Sequence, residues 1–269
     1  MTDKNSILAK LKTAIPLDIR ILEAAGSTNS VAKDAARSGA AENTVIIAER
    51  QTAGRGRGSH TFFSPESTGI YMSILLRPHF EYALCPLITT AAAAATARAI
   101  EELSGKKALI KWINDIFVGS GKVCGILTEA SADTSKPSPD YAVVGIGVNL
   151  SPPEGGFPDE IAHTAATVFD SAQQGNGCRE ALIAEILNNF FAYYTSFEKR
   201  EFFEEYKKRL FVLGREIFVV RAEQLIPARA LDIDENCRLE VQYSDGSREH
   251  LDSGEISIRA DSLDIKTNR

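Results

Sequence analysis

The spacing of apolar and polar positions divides the 269-residue chain into two textures. Through the first three quarters, short β-branched runs alternate with longer stretches of helical period. Residues 44–49, 69–77 and 141–150 are predicted strands, the last so uniformly apolar that burial on both faces is expected. Residues 108–118 and 122–129 predict two more, joined as a hairpin across Gly119-Ser120-Gly121. Residues 86–104 predict a helix, because proline suits its first turn, alanine fills its middle and Gly105 suits its end. Shorter helices are predicted over 3–13 and 30–37, the second capped by Ser27, Thr28 or Asn29; aromatic-rich ones are predicted over 179–197 and 200–210. From Gly214 onward, short strands follow one another through polar turns. Ser244-Asp245-Gly246, set between two such strands, predicts a hairpin. The change in texture predicts a domain over 1–212 and a small all-β domain over 213–269. At about 50 residues the second is small for independent stability, so it is expected to pack against the first.

Composition narrows the class. The 44% apolar content supports a proper core, and 36 acidic against 30 basic residues give a formal charge of -6, which argues against broad nucleic-acid binding. No secretory signal is expected at the N-terminus. The apolar tract 88–100 reads as too short and too weakly apolar to span a bilayer. Cys85, Cys124, Cys178 and Cys237 lie far apart without a CxxC pair, so zinc and a redox dithiol are poorly supported, and free thiols in a reducing cytoplasm are expected.

Against that acidic background one cationic loop stands out: Arg50-Gln51-Thr52-Ala53-Gly54-Arg55-Gly56-Arg57-Gly58-Ser59-His60-Thr61-Phe62-Phe63. Glycine lets backbone amides approach an anion closely, and arginine supplies forked donors that match carboxylate and phosphate oxygens. A solvated flexible turn is the competing reading. GxGxG without a following helix is not a dinucleotide fingerprint, and Gly121-Lys122-Val123 lacks the Ser or Thr and the upstream glycine of a Walker A box. The predicted hairpin brings Lys111, Asn114, Asp115 and Lys122 to one sheet end. Two cations, an amide and a carboxylate there suit a phosphate chain and its magnesium, or equally a surface charge cluster. Gly145 and Gly147 imply close approach of a backbone or ligand, and Asn149 is either a turn former or a nucleotide contact. Trp112 reads as core. His60 and His163 show no spacing for metal or nucleophile relay.

In order and spacing, these segments resemble the biotin–protein ligase family over roughly residues 20–170. The matching pieces are Ser27-Thr28-Asn29, the run from Gln51 to Arg57, Phe63-Ser64-Pro65, Lys111-Trp112-Ile113-Asn114-Asp115, the run from Gly121 to Leu127, and the run from Gly145 to Leu150. The tail Gly254-Glu255-Ile256-Ser257-Ile258-Arg259 is similar to the family's C-terminal β-domain. The resemblance implies an α+β fold: a mixed sheet with flanking helices like that of class II aminoacyl-tRNA synthetases, then a small SH3-like barrel. It implies activation of biotin by MgATP as biotinyl-5′-AMP, then transfer to a lysine of a biotin carboxyl carrier domain. It assigns Ser27, Thr28, Asn29, Gln51, Gly54 and Gly125 to the biotin head group, and Arg55, Arg57 and Lys122 to the carboxylate and α-phosphate. Arg57, Lys111, Asn114, Asn149 and Arg259 fall to the nucleotide, and no ligand set is assigned to the magnesium.

The sequence departs from the family pattern at three places. His60 and Phe62 stand where a third arginine and a tryptophan are usual, and Ile113 replaces a proline. Some 20 residues before the ligase region are too few for a winged helix, so neither operator binding nor membrane association is expected, and the protein is read as a cytoplasmic monomer or homodimer. A lipoate–protein ligase or octanoyltransferase, and a biotin-sensing binding protein, are the alternatives.

Overall fold

The computed structural model describes residues 1–131, 136–222, 224–252 and 254–258. A short helix α1 (Lys4–Leu8) leads to β1 (Asp18–Leu22), α2 (Thr28–Arg37), β2 (Thr44–Ala48) and β3 (Gly69–Leu76). The long helix α3 (Cys85–Ser104) precedes β4 (Ala108–Lys111), β5 (Asp115–Val118), β6 (Gly121–Ala130) and β7 (Ala142–Asn149). Then come α4 (Asp159–Ala162), α5 (Ala172–Thr195), α6 (Phe202–Arg209) and the strands β8 (Glu216–Arg221), β9 (Gln224–Ile233), β10 (Leu239–Tyr243), β11 (Arg248–Leu251) and β12 (Glu255–Ile258).

The first seven strands form one sheet in the order β1-β2-β3-β7-β6-β5-β4. β1 runs parallel to β2 and every other pair is antiparallel, so the sheet is mixed. The last five form a separate antiparallel sheet, β11-β10-β9-β8-β12. The α+β architecture is the expected one: a mixed sheet with helices, followed by a small antiparallel β unit.

Helix α3 lies against one face of the large sheet and is flanked by α5 and α6. Its alanines are buried between sheet and helices because a small side chain lets three layers pack closely. Pro86 sits in its first turn and Gly105 closes it at φ 67°. With the preceding turn it makes a helical stretch, Tyr82–Ser104, that is long and apolar enough to cross a membrane by length and composition, contrary to the shorter sequence reading. In this fold 67% of its most apolar window is buried. On the other face α2 sets Ala32 and Ala36 over Ile46, Leu75 and Val143.

Five points of the sequence reading are revised. The predicted strand 108–118 is two strands, because the chain turns at Trp112-Ile113-Asn114. There the buried indole donates to Cys237 O at 2.9 Å, and Asn114 exchanges hydrogen bonds with Ile126 through its carbonyl (3.1 Å) and its side-chain amide (2.9 Å). Strand β1 escaped notice because its alternation, Asp18-Ile19-Arg20-Ile21, runs for only four residues. Helix α1 stops at Leu8, and α5 starts earlier than expected, at the Ser171 cap, since Gly175 and Gly177 weakened its signal. Strand β7 is not buried on both faces. One of its faces looks into a cavity.

Arg179 on α5 is buried and donates to the carbonyls of Gly69 and Ser67, the latter at 2.6 Å, anchoring the start of β3. Arg179→Met is expected to destabilise the fold by about 2–4 kcal/mol, since the buried Gly69 carbonyl and the part-buried Ser67 carbonyl lose a charged donor. Urea denaturation checks this; an unchanged midpoint would show that the anchor contributes nothing.

Candidate active site

Successive side chains of a strand point to opposite faces, so register shows what shares the α2 face. Val143 lies between Leu75 and Glu129, Gly145 between Ser73 and Leu127, and Gly147 between Tyr71 and Gly125. This row runs from apolar ground beneath α2 to a floor almost without side chains. Above the floor is a cavity of about 630 Å³. Its walls are the start of α2, the glycine-arginine loop, the segment Lys111–Asp115 and, from β12 and the residue before it, Ile256 and Gly254.

The floor glycines have a steric reason. A Cβ on Gly145 would overlap Asn29 Oδ1, and one on Gly147 would lie 2.7 Å from the Phe62 ring. Phe62 leans over Gly125 and Gly147 and meets Tyr71 edge-on, with ring centroids 6.4 Å apart. The loop itself is a small strap: Gly56 N–H donates to His60 O at 2.8 Å and Phe62 N–H to Gly54 O at 3.0 Å. Gly54 is buried, and any Cβ there would strike Phe62 O.

One end of the cavity is lined by hydroxyls and amides. Thr28 N–H donates to Gln51 Oε1 at 2.8 Å, Gln51 Nε2 donates to Ser64 Oγ at 2.8 Å, and Ser64 donates to Phe62 O at 2.9 Å. Ser73 donates to Asn29 Oδ1 at 2.7 Å and also lies 2.8 Å from Thr28 Oγ1. Ser27 caps α2 through its extended backbone, without a side-chain bond. This polar row is joined to the loop by continuous hydrogen bonding.

The other end is charged. Lys122 Nζ lies 2.7 Å from Asp115 Oδ1, Arg57 Nη1 donates to Asn114 Oδ1 at 3.2 Å, and Lys111 lines the same wall. Lys122 reaches this face because of a β-bulge. Asp115 pairs with Gly125 but Phe117 pairs with Lys122, so one extra residue on β6 puts Lys122 on the same face as Gly125. Asn149 is not on the cavity wall. Its amide donates to Lys122 O (3.4 Å) and Ala166 O (3.2 Å), and so fixes the strand that carries Lys122.

The cavity therefore brings together Ser27, Thr28, Asn29, Gln51, Arg55, Arg57, Lys111, Asn114, Lys122 and Gly125. Gly54 and Asn149 support it from outside, and Arg259 lies outside the described residues. Sequence reasoning missed Ser73, Lys33 and Glu129. The period-2 row through Gly125 and Leu127 would have pointed to Glu129.

Glu129 accepts from Lys33 Nζ at 2.8 Å and Asn29 Nδ2 at 2.9 Å, and Arg55 Nη1 lies 3.0 Å away. Burial alone would raise its pKa, but the Lys33 and Asn29 bonds and the Arg55 charge outweigh it and hold the carboxyl below its ordinary 4.5. A depressed folded-state pKa contributes stability above the ordinary value, and that contribution is lost as pH falls through the folded one. The acid side of the stability–pH curve is therefore expected to be shallower in Glu129→Gln below about pH 4.5. Superimposable curves from acid titration of unfolding would refute this.

Comparison with known proteins agrees with this geometry. Residues 22–149 match the profile of the biotin/lipoate A/B protein ligase family, and residues 212–259 match that of the biotin protein ligase C-terminal domain. The chain belongs to the biotin protein ligase family. The bifunctional ligase/repressor BirA of Bacillus subtilis (strain 168) is 38% identical over 146 residues, 54% of this chain and 44% of that protein. The matched stretch thus spans less than half of that relative. The biotin–[acetyl-CoA-carboxylase] ligase of Mycobacterium tuberculosis is 26% identical over 223 residues, 80% of this chain and 79% of that one. Among solved structures, the biotin protein ligase from Aquifex aeolicus in complex with biotin and ATP superposes with a TM-score of 0.72 at 25% identity, covering 90% of this chain and 98% of that chain.

Proposed function

We propose that this biotin protein ligase family member activates biotin with ATP as biotinyl-5′-AMP and transfers the biotinyl group to a lysine of a biotin carboxyl carrier domain. The observation that carries the reading is the polarity of the cavity: neutral hydrogen-bonding groups at one end, cations at the other, and a glycine floor between. That gradient suits a ligand with a neutral ring head, an aliphatic stem and a carboxylate.

In this reading Thr28, Asn29, Gln51 and Ser27 receive the ureido ring, while Gly125 keeps the floor open for the stem. Arg57 and Lys122 bring the carboxylate against the α-phosphate, two groups that repel one another. Two unit charges at 4 Å interact by about 1 kcal/mol in water and roughly 4 at an effective dielectric of 20, so a closed loop raises the worth of each cation. A carboxylate oxygen bonds to the α-phosphorus as the bond to pyrophosphate breaks. The carrier lysine amine then attacks the acyl carbon, loses a proton, and AMP departs with the bonding pair. Lys111 and Asn114 face the nucleotide, and Arg259 is assigned to it by motif alone. Residues 1–212 would act as the catalytic unit and 213–269 as its companion.

Asp115 is the carboxylate at the cationic end, and among the described residues no cluster of three or more His, Cys, Asp or Glu is placed to hold a metal. That donor set fits a magnesium ion carried in on the nucleotide's phosphates, where it would neutralise their charge, rather than one held in a protein cage. Free thiols at all four cysteines suit a reducing cytoplasm.

The test is to supply purified protein with biotin, ATP, magnesium and a carrier domain, and to follow labelling by mass spectrometry. One modified carrier lysine is expected. Calorimetry with biotin and with lipoate separates the two substrates of the wider family, and preferential lipoate binding would reverse the assignment.

A further inference from the structure

Arg55 and Arg57 of the loop point in opposite directions. Arg57 reaches Asn114 at the charged end, whereas Arg55 Nη1 lies 3.0 Å from Glu129 Oε1 and 3.3 Å from Oε2 on the α2 side, with Glu129 itself behind the cavity wall. Register puts Glu129 on the α2 face, two strand periods beyond Gly125. Its side chain is 21% exposed, so the pair is partly shielded from water. The same carboxylate takes Lys33 and Asn29 from α2. A side-chain amide has two hydrogens and one oxygen to satisfy. Those of Asn29 go to Glu129 and to Leu127 O at 3.2 Å, and its oxygen accepts from Ser73. Three separate elements, the loop, α2 and β6, thus meet on one carboxylate.

We propose that Glu129 is a positioning residue: it latches the loop through Arg55 and sets the Asn29 amide, so that retention of the head group depends on the Arg55–Glu129 pair. Arg55 is thereby separated from the phosphate-handling role that its motif suggests. The latch depends on the biotin reading for the identity of its ligand, and its mechanics are independent of that reading.

The test compares wild type with Glu129→Gln, Arg55→Gln and the double variant. Amide hydrogen exchange is followed at Gly56, His60 and Phe62, whose N–H groups bond within the loop. Biotin kinetics are measured alongside. Each single variant is expected to speed loop exchange about fivefold, and the double no more than the stronger single, as coupled partners require. For Glu129→Gln the KM for biotin is expected to rise about five- to tenfold with a smaller change in kcat.

Unchanged loop exchange in both singles, or effects that multiply in the double, would overturn the latch. So would a fall in kcat at constant KM for Glu129→Gln. If Glu129→Gln does not fold, Arg55→Gln decides alone, because its side chain is on an exposed loop. Faster exchange in a protein that binds no biotin would keep the latch and remove the biotin reading instead.

Discussion

Lys122→Gln is expected to slow pyrophosphate release from biotin and ATP by roughly a hundredfold to a thousandfold while the protein keeps its melting temperature. The magnitude is that of removing one preorganised donor from a site where charge develops. Lys122 is suited to this role by position. The bulge on β6 turns it onto the cavity face, Asn149 fixes the backbone behind it, and Asp115 holds its ammonium at 2.7 Å. The variant has a second handicap, because Asp115 would be left without its cation beside a triphosphate. Adding Asp115→Asn to Lys122→Gln should therefore recover part of the lost rate, through removal of a like charge. The measurement is a pyrophosphate-release assay at saturating ATP. A decrease of less than about fivefold would place the chemistry elsewhere in the cavity.

Gly145→Val is expected to weaken biotin binding by about a hundredfold or more. A Cβ at this position overlaps Asn29 Oδ1, so the amide must move. It cannot move alone, since Ser73, Leu127 and Glu129 all bond to it. The branched side chain also fills part of the floor on which the ligand stem would lie. Valine suits a central strand, so the fold should survive. Ile146→Val, one residue along with its side chain on the opposite face, is the control, with a stability cost of about 0.5–1.5 kcal/mol and binding retained. Calorimetric titration with biotin decides the matter. Tight binding by Gly145→Val would mean that the floor does not carry the ligand.

Much of this site was legible before any coordinates, for a physical reason. A cavity that handles a charged, polar ligand needs residue types that do not otherwise occur together. Gly54, Arg55, Gly56 and Arg57 in an acidic chain, and Gly145 and Gly147 in an apolar strand, are visible because each violates its local background. The strands β2 and β7 were legible from β-branched runs, and β3 from an apolar run ended by Pro78. Other features left no such trace. Glu129 violates nothing in its local background; it merely continues the period-2 row of Gly125 and Leu127, and its register beside Val143 shows that it faces α2. Ser73 sits silently in an apolar strand. The bulge at β6 is a matter of pairing between distant residues, and the turn at Trp112 depends on an indole bonded to the carbonyl of Cys237, 125 positions away.

That indole bond, the ion pair between Lys207 and Asp232 at 2.8 Å, and the presence of Gly254 and Ile256 on the cavity wall share one practical implication. Anyone wishing to trim this protein into a minimal labelling reagent would find the obvious cut, just ahead of Glu216, a poor choice. The excised piece forms part of the cavity wall, so the shortened chain would be both leakier to solvent and softer at the Lys111–Asp115 bend.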